Sequence, residues 1–276
     1  MLRYDLHSHS TYSDGLLSPA AVVARAASRG VDVLALTDHD EVAGLAEARA
    51  AAADVGITFV NGAELSVSWE SLTLHVVALR IDPESPALVQ GLEKIRSGRI
   101  TRGRRIADAL AEAGIRGAYE GAMKYVTSEE LVSRTHFARY LVEAGYANEV
   151  KDVFKRYLTP GKPGYVVHEW ATLPQAIDWI HTAGGQAVLA HPGRYKVSAS
   201  GLRKLLADFR DAGGDAIEVL SSSHTTAQFA EFATLARVYG LMASGGSDYH
   251  GPGESRMDLG DLPPMPAGVV PVWQHW

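Results

Sequence analysis

The chain of 276 residues contains no cysteine. Disulfides, thiolate metal sites and cysteine nucleophiles are therefore excluded, and any metal must be held by histidine and carboxylate. Also missing is an apolar run long enough to cross a bilayer. The segment Met1-Leu-Arg-Tyr-Asp-Leu-His7 has no basic stretch leading into an apolar one, so the sequence reads as cytoplasmic and soluble, with no membrane partner. Nor is there an excess of positive charge. Lys and Arg total 26 against 32 Asp and Glu, a formal charge of -6, so the surface as a whole does not advertise nucleic acid and an anion must be bound locally. With 46% hydrophobic and 21% charged residues, a sizeable core is available, and disorder or a coiled coil is a poor reading.

Seven short apolar runs read as buried strands, at about 4–7, 31–36, 57–60, 72–79, 186–190, 216–220 and 241–244. Helical stretches lie between most of them. Ser18 as N-cap, Pro19 at the first helical position and Gly30 just past the end predict a helix over 19–29, and another fits 173–183. Alternating strands and helices favour an α/β fold with a parallel sheet, and seven units favour closure into a barrel.

Between about 86 and 164 no strand pattern occurs and helical spacing dominates, which predicts an inserted helical subdomain. We place it at 93–156, with the barrel formed by 1–92 and 157–276. Phe137, Ala138, Leu141 and Val142 read as its core. Arg99, Arg102 and Arg105 lie three apart, first a solvated helix face and second the wall of a cleft. The tail from Gly251 holds five of the twelve prolines and reads as an irregular cover.

Histidines and acids cluster where the strands end. His7 and His9 close the first strand, followed by Asp14; His39 follows the second, Glu64 the third, His191 the fifth, and Asp248 and His250 the last, while His75 lies within the fourth. In a closed parallel barrel the C-terminal strand ends converge on one mouth, so these nine residues become neighbours. Six imidazoles and three carboxylates suit manganese, zinc or iron better than calcium or magnesium, and two or three ions need about this many donors. Such a centre would draw a phosphate, ionise a water and clamp the attacking and leaving oxygens of an in-line displacement. Arg194, three residues after His191, is placed to give a bidentate guanidinium to the phosphate.

The motifs His7-Ser-His9, Ser13-Asp14-Gly15, Thr37-Asp38-His39, Gly62-Ala63-Glu64, Ala190-His191-Pro192 and Ser247-Asp248-Tyr249-His250 resemble, in order, those of the PHP (polymerase and histidinol phosphatase) family. The resemblance implies a distorted (β/α)7 TIM-like barrel and a two- or three-ion centre, manganese first. It implies that His7, His9, Glu64 and Asp248 hold one ion, that Glu64 bridges to a second held with His75 and His191, and that Asp14, His39 and His250 hold a third.

Within the family the chain is most similar to the stand-alone bacterial group of 3′,5′-nucleotide bisphosphate phosphatases, some described as 5′→3′ exoribonucleases. The segments 133–139, 157–166 and 190–194 carry that likeness. It implies hydrolysis of the 3′-phosphate of a nucleotide bisphosphate by a hydroxide bridging the ions, with Asp248, His191, Glu64 and Arg194 at the reacting phosphate. Arg134 and His136 would bind the second phosphate, with Arg99 and Lys162 as weaker candidates. Short RNA is the alternative substrate; histidinol phosphate and a non-catalytic accessory role are the other readings.

Overall fold

A computed structural model describes residues 2–276 of the chain. The seven expected strands are present. They are β1 (Tyr4–Asp5), β2 (Val33–Leu36), β3 (Thr58–Trp69), β4 (Leu72–Leu79), β6 (Gln186–Leu189), β7 (Ala216–Ser221) and β8 (Met242–Gly246), hydrogen-bonded in the order β1-β2-β3-β4-β6-β7-β8. A two-residue strand, β5 (Ala171–Thr172), pairs with β3 off that path. The ends of the sheet meet where Leu6 N donates to Gly245 O at 3.1 Å and Asp248 N to His7 O at 2.9 Å, which closes the barrel between β8 and β1.

The parallel pattern fails at one strand. β4 runs antiparallel to both β3 and β6. Only Glu70 and Ser71 separate β3 from β4, far too few residues for a crossover helix, so the pair is a hairpin. β3 also continues past the expected end at residue 60: Leu65, Val67 and Trp69 alternate with Glu64, Ser66 and Ser68, the period of a strand. Glu64 is consequently a mid-strand residue rather than a strand-end one, while His75 lies within β4 as expected.

Most strands are covered by helices. In α1 (Pro19–Ser28) the Ser18 hydroxyl accepts from Ala21 N, and Val22, Val23 and Ala26 face the barrel. α2 (Leu45–Val55), α7 (Leu173–Thr182), α8 (Ala199–Asp211) and α9 (Thr226–Tyr239) complete the outer layer. Thr172 and Thr225 cap α7 and α9, each with a glutamine three residues on returning the hydrogen bond.

No strand lies between β4 and β5. The 27-residue α3 (Pro86–Glu112) leaves the barrel, packing Leu88, Leu92 and Ile95 against it. Farther along, Ile106 and Leu110 join a second apolar cluster with α4 (Ala118–Met123), α5 (Arg134–Glu143) and α6 (Val150–Val153), in which Phe137, Ala138 and Leu141 are fully buried and Val142 packs at the edge. The two cores share one helix, and the cluster beyond it stands over the barrel mouth.

Candidate metal centre and phosphate cavity

Local backbone geometry aims the donors. His7 and His9 flank Ser8, which bridges to Tyr249 beyond β8, and His39 bridges to Glu64 in β3. Three residues around the mouth adopt left-handed backbone, Asp40 at φ 53°, His191 at φ 29° and Asp248 at φ 55°. Each such conformation costs about 1–3 kcal/mol in a residue with a Cβ and persists where its surroundings over-determine it. Here backbone hydrogen bonds do so: Asp40 N to Glu64 O at 2.9 Å and Asp248 N to His7 O at 2.9 Å. His191 N donates to a side chain, Glu218 Oε2, at 2.6 Å.

The nine expected donors converge. His7 Nε2 lies 3.1 Å from His9 Nε2, 3.3 Å from Glu64 Oε2 and 3.5 Å from Asp248 Oδ1, and His9 Nε2 is 3.3 Å from both of those oxygens. Metal–ligand bonds of about 2.0–2.2 Å put tetrahedral donors about 3.3–3.6 Å apart, so this quartet has the spacing of a coordination shell. Glu64 Oε1 is 2.8 Å from His75 Nδ1 and 2.9 Å from His191 Nε2. Asp14 Oδ1 is 3.3 Å from His250 Nε2 and 3.7 Å from His39 Nε2. Two donors are less cleanly divided than the family resemblance implies: His9 also falls within the Asp14, His39 and His250 group, and His39 with Glu64 and His75.

Three buried carboxylate oxygens, Asp14 Oδ1, Glu64 Oε2 and Asp248 Oδ1, accept no hydrogen bond among the described residues. Orphaned anionic oxygens are costly in a protein interior unless a cation satisfies them, so the donor set fits divalent ions. The protons are unevenly held. Burial opposes charge on His250, yet Asp14 beside it lifts the ring to about 9. Burial and the neighbouring His250 and His39 instead push His9 down to about 3, and burial with Arg194 does the same to His191. Burial alone would raise Glu64, but His75, His7 and His39 hold it well below the usual carboxylate range.

Beyond the donors the cavity is walled by guanidinium groups and aromatics. Arg99, Arg102, Arg134 and Arg194 line it together with Trp170 and Phe154. Arg194 Nη1 donates to Asp248 Oδ2 at 2.9 Å. Arg99 is committed to Asp40 and Ser66. Lys162 is exposed and His136 fully buried, and neither lines the cavity; His136 Nδ1 accepts from Ser133 N at the start of α5. The solvated-face reading of the arginine series holds only for Arg105, because the helices over the mouth bury Arg99 and Arg102.

Residues 5–159 match the PHP domain family. The chain belongs to that family. Its PHP relatives include the 3′,5′-nucleoside bisphosphate phosphatase of Chromobacterium violaceum, 51% identical over 100% of this chain and 96% of that protein. The 5′-3′ exoribonuclease Rnm of Escherichia coli is 46% identical over 99% and 93%. A solved structure described as an amidohydrolase from C. violaceum with bound sulfate and no metal superposes with a TM-score of 0.95 at 51% identity, covering 98% of this chain and 94% of that one.

Three side chains of this PHP site have roles that the motifs did not assign. Asp38 is buried and accepts from Ser10 N, Ser10 Oγ and Ser13 Oγ, bracing the turn that carries Asp14; burial raises it to about 6 despite those donors. Glu218 joins His7 to His191 from within β7. Arg102 is 7% exposed, lies over the Trp170 ring, and leaves Nε without a partner among the described residues. Burial, with Arg134 and Arg99 beside it, pulls its pKa down to about 9. Asp38 was visible only as the middle of the Thr37-Asp38-His39 motif and Arg102 only by a spacing that exposed helix faces share, while nothing marked Glu218.

Proposed function

We propose that this chain is a metal-dependent phosphatase that removes the 3′-phosphate of a 3′,5′-nucleotide bisphosphate. The observation that carries the choice of substrate is the pair Arg102 and Arg134: both line the cavity, and neither has a carboxylate partner among the described residues. Unpaired guanidinium groups at least partly withdrawn from water are stabilised by a bound anion, and two phosphates on one substrate would satisfy the metal-side donors and this pair together.

His7, His9, Asp14, His39, Glu64, His75, His191, Asp248 and His250 would hold two or three ions, manganese first among them. When bound, the ions supply Lewis acidity toward the phosphoryl oxygens and a nucleophilic water at neutral pH. The protein does the rest. Asp248 keeps the Arg194 guanidinium at the edge of the cluster, where its remaining N–H groups face a phosphate. Arg102 and Arg134 hold the 5′-phosphate and so fix which phosphate reaches the donors. Trp170, beneath Arg102, walls the space between. Residues 93–156 act as the inserted cover, which brings Arg99, Arg102 and Arg134 over the mouth.

Likeness to the Rnm exoribonucleases makes short 5′-phosphorylated RNA the second substrate to try. The test compares phosphate release from 3′-phosphoadenosine 5′-phosphate and adenosine 3′-monophosphate with manganese present. We expect the bisphosphate to be preferred, and Arg102→Met to raise its KM roughly 10–100-fold, the value of a lost charged hydrogen bond or two, with little change for the monophosphate. Equal use of both nucleotides by the unaltered protein overturns the proposal.

A further inference from the structure

We infer that Glu218 is a positioning residue of the metal centre, one carboxylate that sets both the ring of His7 and the backbone of His191. The inference rests on reading the cluster as a metal centre. Glu218 occupies the middle of β7, flanked by Ile217 and Val219, and is 1% exposed. Its two oxygens are divided between two ligand positions. Oε1 lies 2.7 Å from His7 Nδ1, and Oε2 accepts from His191 N at 2.6 Å.

An ionised carboxylate can only accept, so the proton of a neutral His7 must sit on Nδ1. Nε2 then keeps its lone pair, and Nε2 is the nitrogen that faces Glu64 Oε2 and Asp248 Oδ1 at 3.3 and 3.5 Å. The other oxygen restrains His191, whose φ of 29° is the least comfortable backbone at the mouth. Neither contact belongs to the ladders that β7 makes with β6 and β8. A buried carboxylate in a strand otherwise apolar at its centre is a liability for folding alone. It becomes intelligible if the two ligands it touches must be held in one tautomer and one orientation, the usual relation between a ligating imidazole and an outer carboxylate.

The test is Glu218→Gln in the full chain. Glutamine has a single acceptor oxygen, so one of the two N–H groups must lose its partner. Titration of the metal-free protein with Mn2+ by calorimetry should show affinity reduced roughly 10–100-fold, with the thermal midpoint of the metal-free form little changed. Half-maximal activity should need correspondingly more Mn2+, while kcat at saturation stays near that of the unaltered protein. Unchanged Mn2+ affinity in the variant overturns the inference alone; an unaltered protein that binds no Mn2+ overturns the metal-centre reading with it. A measurement on the unaltered chain covers the case of a variant that does not fold. 15N spectra of labelled histidine should place the His7 proton on Nδ1 in the Zn2+-loaded form, and a proton on Nε2 in that form refutes the assignment.

Discussion

Asp248 combines three tasks in one residue. Its Oδ1 is a donor without a hydrogen bond, its Oδ2 holds Arg194, and its left-handed backbone sends the side chain across the barrel mouth. Asp248→Asn preserves size and polarity but removes the charge. We expect phosphate release to fall by roughly 10³-fold or more with an unaltered circular dichroism spectrum; appreciable activity would deny it a place at the reacting phosphate. Proton release follows from the same neighbourhood. Asp14 raises the His250 ring to about 9, so at pH 7 it carries a proton that a metal bound there would have to displace. Calorimetry in buffers of different ionisation enthalpy should therefore detect protons released on Mn2+ binding at pH 7. The contribution of His250 to that release should vanish above about pH 9, and affinity should strengthen as pH rises through that window. At this scale the sequence was most informative. Donor residues come in short motifs because neighbouring strand ends can each contribute only a few side chains, whereas Glu218 sits in a buried apolar strand with no spacing to mark it.

At the scale of elements, two features bear directly on stability. Gly246 ends β8 against β1, and a Cβ there would lie 2.2 Å from His7 Cβ and 2.5 Å from His7 N. The backbone cannot yield without opening the seam, so Gly246→Ala should lower unfolding stability by about 3 kcal/mol and weaken Mn2+ binding, read by urea denaturation and calorimetry. Helix α3 tells the opposite story. Its Arg102 is buried without a countercharge, so Arg102→Met should make the substrate-free protein more stable by about 1–2 kcal/mol even as it impairs use of the bisphosphate; a lower melting temperature would show that the guanidinium serves packing instead. Strand and helix positions were largely legible from hydrophobic spacing. The direction of β4 was not, because Glu70-Ser71 lacks the glycine or asparagine that usually betrays a hairpin and Glu70 takes φ 50° without either. Burial of the arginine face was equally hidden, since spacing defines a face but not what covers it.

For the whole molecule, charge and topology act together. A chain of net charge -6 concentrates three carboxylates and six imidazoles in one mouth, so loading with metal should stabilise the native state against a chelated form. At about 1,000 times the dissociation constant the gain is about 4 kcal/mol, which should appear as a melting temperature several degrees lower in EDTA and restored by Mn2+. Among the described residues no helix is long and apolar enough to cross a membrane. Barrel closure joins the first strand to the last, and donors come from both sides of that seam. A nascent chain emerging from the ribosome therefore carries only part of this donor set until the stretch with Asp248 and His250 has cleared the exit tunnel. The groups His39, Glu64, His75 and His7, Glu64, His191 are complete earlier, so the donor set fills in stages, and a product of premature termination upstream of β8 would lack the Asp248 and His250 donors.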